Sequence, residues 1–325
     1  AVFRAGSRHN GQGPSCGTST ADCNAGNFTL SDVTFSNVGS VFTHGSGQGT
    51  VITMTDFSIS DVDESCFNVP EDSMLTLMEG TMTNCNTDGG TSDGAVVSVA
   101  GSNGDGLLHM ENVTVTNAYQ NFIDVDLEHL FLSNVSVTNA ASSLYTMKAI
   151  DHTPTQATST AYLFNVDVPN YGMDSNIDAM EHLTLHDVDL TDNNLVIRPG
   201  GASQTGAGPS SADAIIDTLT AGDLTMARVH PGTFDDLTAG DVTMSGSAIT
   251  SETMNMGNFD IGSFAITGCG WTLIMDTPSL DDFKSSASCS NSKNTATIND
   301  ATFNHGSLTT DVIDGRNSMI TVGES

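Results

Sequence analysis

The sequence predicts an all-β protein, a solenoid of about eleven coils whose strands pair in parallel with the coils before and after. Three observations predict it. A ten-residue pattern recurs along the chain, with apolar residues at positions 1, 3, 6 and 8 and Asn or Asp at positions 5 and 10. Its clearest copies are residues 108–117 and 130–139, which open 22 residues apart. Helical 3.6-residue periodicity is nearly absent, while apolar residues two apart mark strands with one buried face.

Taken in order, residues 1–26 are rich in Gly, Ser, Asn and Cys and lack periodicity. They read as an N-terminal cap over an otherwise open strand edge. The repeat region is residues 27–305. Copies open at Phe28, Ile52, Leu75, Leu108, Leu130, Ala161, Leu183, Leu219, Leu237, Phe259 and Ala296. Repetition on this scale is an internal repeat, not a bias of composition. Position 3 runs Leu30, Met54, Leu77, Met110, Leu132, Leu163, Leu185 through the first seven copies, and positions 6 and 8 are as apolar. Position 5 breaks the two-residue alternation. Asn or Asp there predicts a corner, because these side chains tolerate the left-handed backbone of a tight bend. A second apolar patch follows each copy, as in residues 66–69, 121–125, 143–147 and 195–197. Each coil therefore has three short extended segments separated by corners. Strands of successive coils lie about 4.8 Å apart, so like residues stack in columns, and stacked Asn can hydrogen-bond along the axis. Stacked Asp at position 5 would repel unless it faces water or shares a cation. Residues 306–325 form a C-terminal cap or a continuation of the coil.

The pattern Φ-x-Φ-x-[Asn/Asp]-Φ-x-Φ-x-[Asn/Asp] on a coil near 22 residues resembles the right-handed parallel β-helix of pectin-lyase-like proteins. The resemblance covers about residues 27–305 and speaks to fold more than to function. It fits the non-enzymatic surface or structural branch better than the enzymes. Hydrolases of this architecture use Asn-Thr-Asp, Asp-Asp, Gly-His-Gly and Arg-x-Lys motifs. Asn86-Thr87-Asp88 occurs here, but Gly-His-Gly and Arg-x-Lys do not, so it reads as the start of a loop. The lyases use calcium-binding carboxylates with a basic residue. The nearest counterpart is Asp124, Asp126 and Glu128, which alternate as on one strand, with Lys148 a coil later. These three are the candidate calcium ligands, against the plainer reading of a solvated acidic face.

Charge bounds the function. There are 39 acidic residues against 8 basic ones, a formal net charge of −31. Nucleic-acid or anionic-membrane binding needs Lys and Arg that this chain lacks. A polyanionic sugar would likewise want a basic cleft. No stretch approaches the about 20 apolar residues of a membrane helix. The acidity suits solubility in a salty medium, and it also suits divalent cations.

Six cysteines occur without a CxxC pair, which argues against zinc. Cys16 with Cys23, Cys66 with Cys85, and Cys269 with Cys289 is the simplest pairing, and it points to an extracellular, oxidising location. Sequons at Asn27, Asn112 and Asn134 permit glycosylation there, although the repeat itself demands Asn-Φ-Thr. Insertions within residues 88–94, 153–160 and 199–209 leave the coil in one phase and should project from one side. The nine histidines are scattered, and Trp271 alone makes a poor aromatic platform for glycans.

The expected function is that of an extracellular or cell-surface structural or adhesive rod. It would work by self-association in a filament or lattice, with calcium as a candidate bridge. The alternatives are a polysaccharide lyase or hydrolase and a non-catalytic glycan-binding module. The chain begins without Met and reads as a mature form or a fragment.

Overall fold

The computed structural model describes residues 27–44, 50–70, 73–87, 95–100, 106–118, 121–138, 147–150, 160–168, 175–178, 182–191, 193–198, 212–227, 229–245, 253–267 and 272–287. It also describes the short strands Phe3–Ala5, Thr295–Ile298, Thr302–Phe303, Leu308–Val312 and Met319–Val322. Every pairing between these strands is parallel, and the described residues contain no helix. The fold is a parallel β-helix.

Register follows the repeat. Leu30, Met54, Leu77, Met110, Leu132, Leu163, Leu185, Ile216, Phe234, Met256, Met275, Ile298 and Val322 form one continuous column. We number the coils one to thirteen by these residues. At about 4.8 Å per coil the rod is roughly 60 Å long.

Coils one to twelve show the three expected segments among the described residues. The first ends at position 5 and the second at position 10. In coils one to seven, Asp32, Asp56, Glu79, Asn112, Asn134, Asn165 and Asp187 have φ of 51–56°. Asn37, Asp61, Asn84 and Asn117 make the second corner at 54–56°. A left-handed residue turns the strand without breaking its pairing on either side, and Asn and Asp adopt it most readily after Gly.

The corner amides do what the stacking suggests. Asn112 Nδ2 donates to Glu79 Oε1 (2.7 Å), Asn134 Nδ2 to Asn112 Oδ1 (2.8 Å), and Asn165 Nδ2 to Asn134 Oδ1 (2.8 Å). At the second corner, Asn84 donates to Asp61 and Asn117 to Asn84. Each run begins on a carboxylate, which only accepts, so every amide points its NH2 toward the preceding coil. Asp32, Asp56 and Glu79, which stack below this ladder, are exposed to water.

The sequence-based phase slips at coils eight to ten. Leu219 lies beside Val188 at position 6, not beside Leu183 at position 1, and Leu237 and Phe259 follow it. The reason is a change of corner. Gly222-Asp223, Gly240-Asp241 and Gly262-Ser263 turn the chain between the second and third segments, and two residues there reproduce the 1-3-6-8 spacing. A Cβ on any of these glycines would sit within 3.0 Å of an atom of the preceding coil. Asp223 therefore stacks on Asn194 rather than on Asp187. Asp223 N–H donates to Asn194 Oδ1 (2.9 Å), Asp241 N–H to Asp223 Oδ1 (2.8 Å), and Ser263 N–H to Asp241 Oδ1 (3.1 Å). Backbone amides here replace the side-chain donors, so stacked carboxylates are satisfied.

The core is the stack of inward columns, including Ile59, Leu75, Leu132 and Phe264, all almost fully buried. Gly80 stands at position 6, where neighbours carry Phe57 and Val113. A Cβ on Gly80 would lie 2.2 Å from the Phe57 ring, which fills that space. Cys66 and Cys85 are disulfide-bonded across the core, with Cα atoms 5.7 Å apart. Closing a loop of 19 residues stabilises by about 3 kcal/mol in the chain-entropy account. Cys16, Cys23, Cys269 and Cys289 lie outside the described residues.

At the ends, Phe3–Ala5 pairs with Phe42–His44 beneath coil one. The remainder of the 1–26 cap lies outside the described residues. Leu308–Val312 and Met319–Val322 add further rungs, so the described part of 306–325 continues the coil.

Two substitutions test this packing. Gly80→Val should cost about 1–3 kcal/mol by overpacking, and adding Phe57→Val should recover much of the loss. Additive costs in urea denaturation would contradict the described contact. Asn134→Ala should destabilise more than Asn134→Gly by about 1 kcal/mol, the left-handed penalty for a residue with Cβ. Equal stabilities would remove φ as the constraint at this corner.

Candidate functional site

Outward positions define three faces. On the second segment, positions 7 and 9 are filled by Ser and Thr throughout coils one to five, from Thr34 and Ser36 to Ser136 and Thr138. Adjacent hydroxyls reach one another, as Thr81 does to Ser58 (3.3 Å) and Thr138 to Thr116 (3.5 Å). β-Branched Thr suits such a surface without needing a ligand.

The first segment differs. Of the described residues, the exposed large hydrophobics are Val51, Met74, Tyr162, Phe164 and Ile215. All five point outward from the first segment, at the position before the motif or at positions 2 and 4. Position 2 runs His109, Phe131, Tyr162, Thr184, Ile215 through coils four to eight. The Phe131 and Tyr162 rings stack with centroids 5.0 Å apart and planes at 10°. His109 meets Phe131 edge to face at 6.1 Å. Position 4 places Phe164 against His186, stacked at 4.6 Å. The rings face one another along the rod, so the central ones turn their edges outward.

Polar groups border this strip. His186 Nδ1 faces Asp217 Oδ2, and its Nε2 lies 3.3 Å from Asp187 Oδ2. His109 Nε2 lies 3.7 Å from Glu111. His129 Nδ1 is 2.8 Å from Thr160 Oγ1, and its Nε2 lies 3.9 Å from Glu128. Sequence reasoning missed the strip because it followed the inward columns. Its signal was the outward position 2, where His, Phe and Tyr replace Thr.

Two of the three candidate calcium ligands lie on one strand. Asp124 and Asp126 share the strand Asn121–Asp126, and Lys148 is in register with Asp124. Glu128 lies past the strand end, at the third corner. Its N–H donates to Gly106 O (3.1 Å) and its carbonyl accepts from Thr160 N–H (2.9 Å). Leu127 before it is buried and Glu128 itself is half-buried. The Asp126 side chain lies outside the described residues, and among those described no three His, Cys, Asp or Glu form a group that could hold a metal. Asn86 has φ of 64° and is buried at a turn, where its N–H donates to Glu64 O. That agrees with a loop start at Asn86-Thr87, while Asp88 lies outside the described residues.

Of the sequon residues, Asn27 is exposed at the start of Asn27–Val38. Asn112 and Asn134 spend the Nδ2 that would carry a glycan on the axial ladder. Trp271 and residues 88–94, 153–159 and 199–209 lie outside the described residues.

No family model matches the chain, and comparison with curated proteins and with solved structures finds no match. The likeness to pectin-lyase-like proteins is therefore one of architecture, an all-strand parallel β-helix.

One carboxylate stands apart electrostatically. Asp167 is exposed as a residue, yet partial desolvation of its carboxyl by the neighbouring coil raises it above its usual value, and Asp189 in the next coil raises it further. Asp189 itself accepts from Thr191 N–H and Oγ1. A raised folded-state value means the folded chain holds this proton more tightly than the unfolded one. Stability should therefore fall as pH rises from the ordinary Asp range, near 3.8, through the raised value. Asp167→Asn should flatten that slope and raise Tm at neutral pH, which thermal melts across pH would read. An unchanged pH profile would remove the effect.

Proposed function

We propose that this protein is an extracellular structural or adhesive rod that works by self-association. The observation that carries the reading is its one-sidedness: every exposed large hydrophobic side chain among the described residues projects from the first segment. Scattered apolar residues on a surface are ordinary, whereas apolar residues confined to one face mark a contact surface.

The rest of the surface suits that role. Stacked columns make a stiff scaffold that holds outward residues at a fixed repeat. A net charge of −31 keeps rods apart unless a particular face brings them together. The disulfide accords with an oxidising, extracellular setting. Calcium joining carboxylates of neighbouring rods belongs to this proposal as a bridge between chains.

The enzyme alternative draws less support, since 8 basic residues against 39 acidic ones leave little to hold a polyanionic sugar. A glycan-binding platform needs exposed ring faces, and the strip turns ring edges to solvent.

Small-angle scattering and light scattering across concentration would test the proposal. The expected result is an elongated particle, its rod section about 60 Å long at 4.8 Å per coil, whose mass rises with concentration. A particle of constant monomer mass would overturn self-association. Loss of the larger species on adding chelator would assign the bridge to calcium, and persistence would remove calcium from the account.

A further inference from the structure

We propose that the first-segment face of coils four to eight is the contact surface for a second copy of this chain. The two rods would lie side by side and parallel, with the coil of Tyr162 and Phe164 at the centre of the contact. This rests on the self-association reading and names its partner and geometry.

Three features select a second copy. The strip is ribbed at the coil repeat, about 4.8 Å, by rings stacked along the axis. Ribs interlock over several coils only with a partner of the same repeat, and a second copy has that repeat by construction. A sugar polymer would need ring faces, and the stacked neighbours already cover those between them.

Charge makes the second argument. The outward positions of coils five to seven on this face carry Ser, Thr, His, Phe and Tyr and no carboxylate, in a chain of 39 acids. Two copies bearing −31 each meet little local repulsion where this face meets its own equivalent, and unlike the Ser and Thr face it also offers apolar surface.

The flanking groups decide the direction. A twofold axis perpendicular to the rods, through coil six, sets coil four against coil eight with strand positions kept, and so Glu111 against Asp217. A twofold axis parallel to the rods, between positions 2 and 4, sets each coil against its own equivalent and exchanges those two positions. His109, an N–H donor, then faces Glu111 of the other copy, while Tyr162 faces Phe164 at the centre. The result is an aromatic centre with a polar rim. Tyr162, Phe164 and Ile215 are 40%, 49% and 53% exposed in the single chain, so pairing would bury area that is open now.

Size sets the strength. Five coils by three outward positions give a flat footprint of about 250 Å² from strand spacings, below the roughly 800 Å² per partner of a stable complex. Pairing is therefore weak, and it strengthens where rods are held side by side.

Sedimentation velocity on the whole chain, from about 10 µM to 1 mM in 0.15 M and 1 M salt, tests this at the ionic strengths that screen charge repulsion. The wild-type chain should dimerise, more strongly in high salt. Phe164→Asp and, separately, Ile215→Asp should weaken dimerisation at least tenfold, with melting temperatures showing that both still fold. Thr81→Asp, on the second face, should leave it unchanged. If the wild type associates and both strip variants associate equally well, the strip is not the interface and this inference fails while the rod reading stands. A wild type that stays monomeric throughout overturns both. A monomer retained on an immobilised neutral polysaccharide, with retention lost in Phe164→Asp, would assign the strip to a glycan and overturn the pairing.

Discussion

The left-handed corner is the constraint on which this structure depends. A parallel coil must turn without giving up its pairing above and below, and a single residue at φ of 51–56° does so. For most L-residues that conformation costs about 1–2 kcal/mol, and repetition would multiply the cost. Asn and Asp reduce it, and Asn adds an axial amide bond that Ala or Ser would not supply. Corner and ladder are thus one device. The residue that turns the chain also ties each coil to the one before it, and acceptor-only Glu79 and Asp61 set the direction of both ladders. In coils eight to ten the second corner is Gly-Asp or Gly-Ser, and the carboxylate takes a backbone N–H of the next coil. Two different solutions meet the same demand, to satisfy corner polar groups without leaving the stack.

The legibility of the fold follows from this device. Coils one to seven could be read directly, because an Asn or Asp corner between apolar pairs is both frequent and physically required. Coils eight to ten were read out of phase because Gly-Asp corners between second and third segments leave the same apolar spacing. One-dimensional spacing cannot separate two corners of equal width, and only pairing to Val188 and Leu195 does so. Two further coils escaped notice. In coil eleven the position-1 Leu273 and position-3 Met275 precede Pro278 rather than an Asn corner, and coil thirteen falls in the tail. The Cys66–Cys85 bridge was legible from proximity in sequence, since a corner returns residue 85 to the core beside residue 66.

The candidate surface was less legible, and for a physical reason. Inward positions must be apolar in every coil, so their columns announce themselves. Outward positions are constrained only where something touches them, so a functional column shows up as a departure from Thr and Ser. His109, Phe131 and Tyr162 depart together, but their adjacency depends on a register that crosses an insertion of variable length between residues 138 and 160. Glu128 lies two residues past the end of the strand Asn121–Asp126, where strand alternation alone does not fix the direction of a side chain.

In the proposed assembly, acidity and association do not oppose one another. A rod with uniform negative charge would simply stay dispersed, and one with apolar columns on every face would aggregate along any of them. This chain spreads carboxylates over corners and outer positions, keeps Ser and Thr on the second face, and leaves one strip with aromatic rings and imidazoles. In the proposed pairing, repulsion between acid columns such as Asp32, Asp56 and Glu79 disfavours approach through the corners, and the strip adds the apolar area that the Ser and Thr face lacks. The same corners that stack the coils also hold that strip straight, so the geometry needed for folding and the geometry needed for contact are set by the same residues.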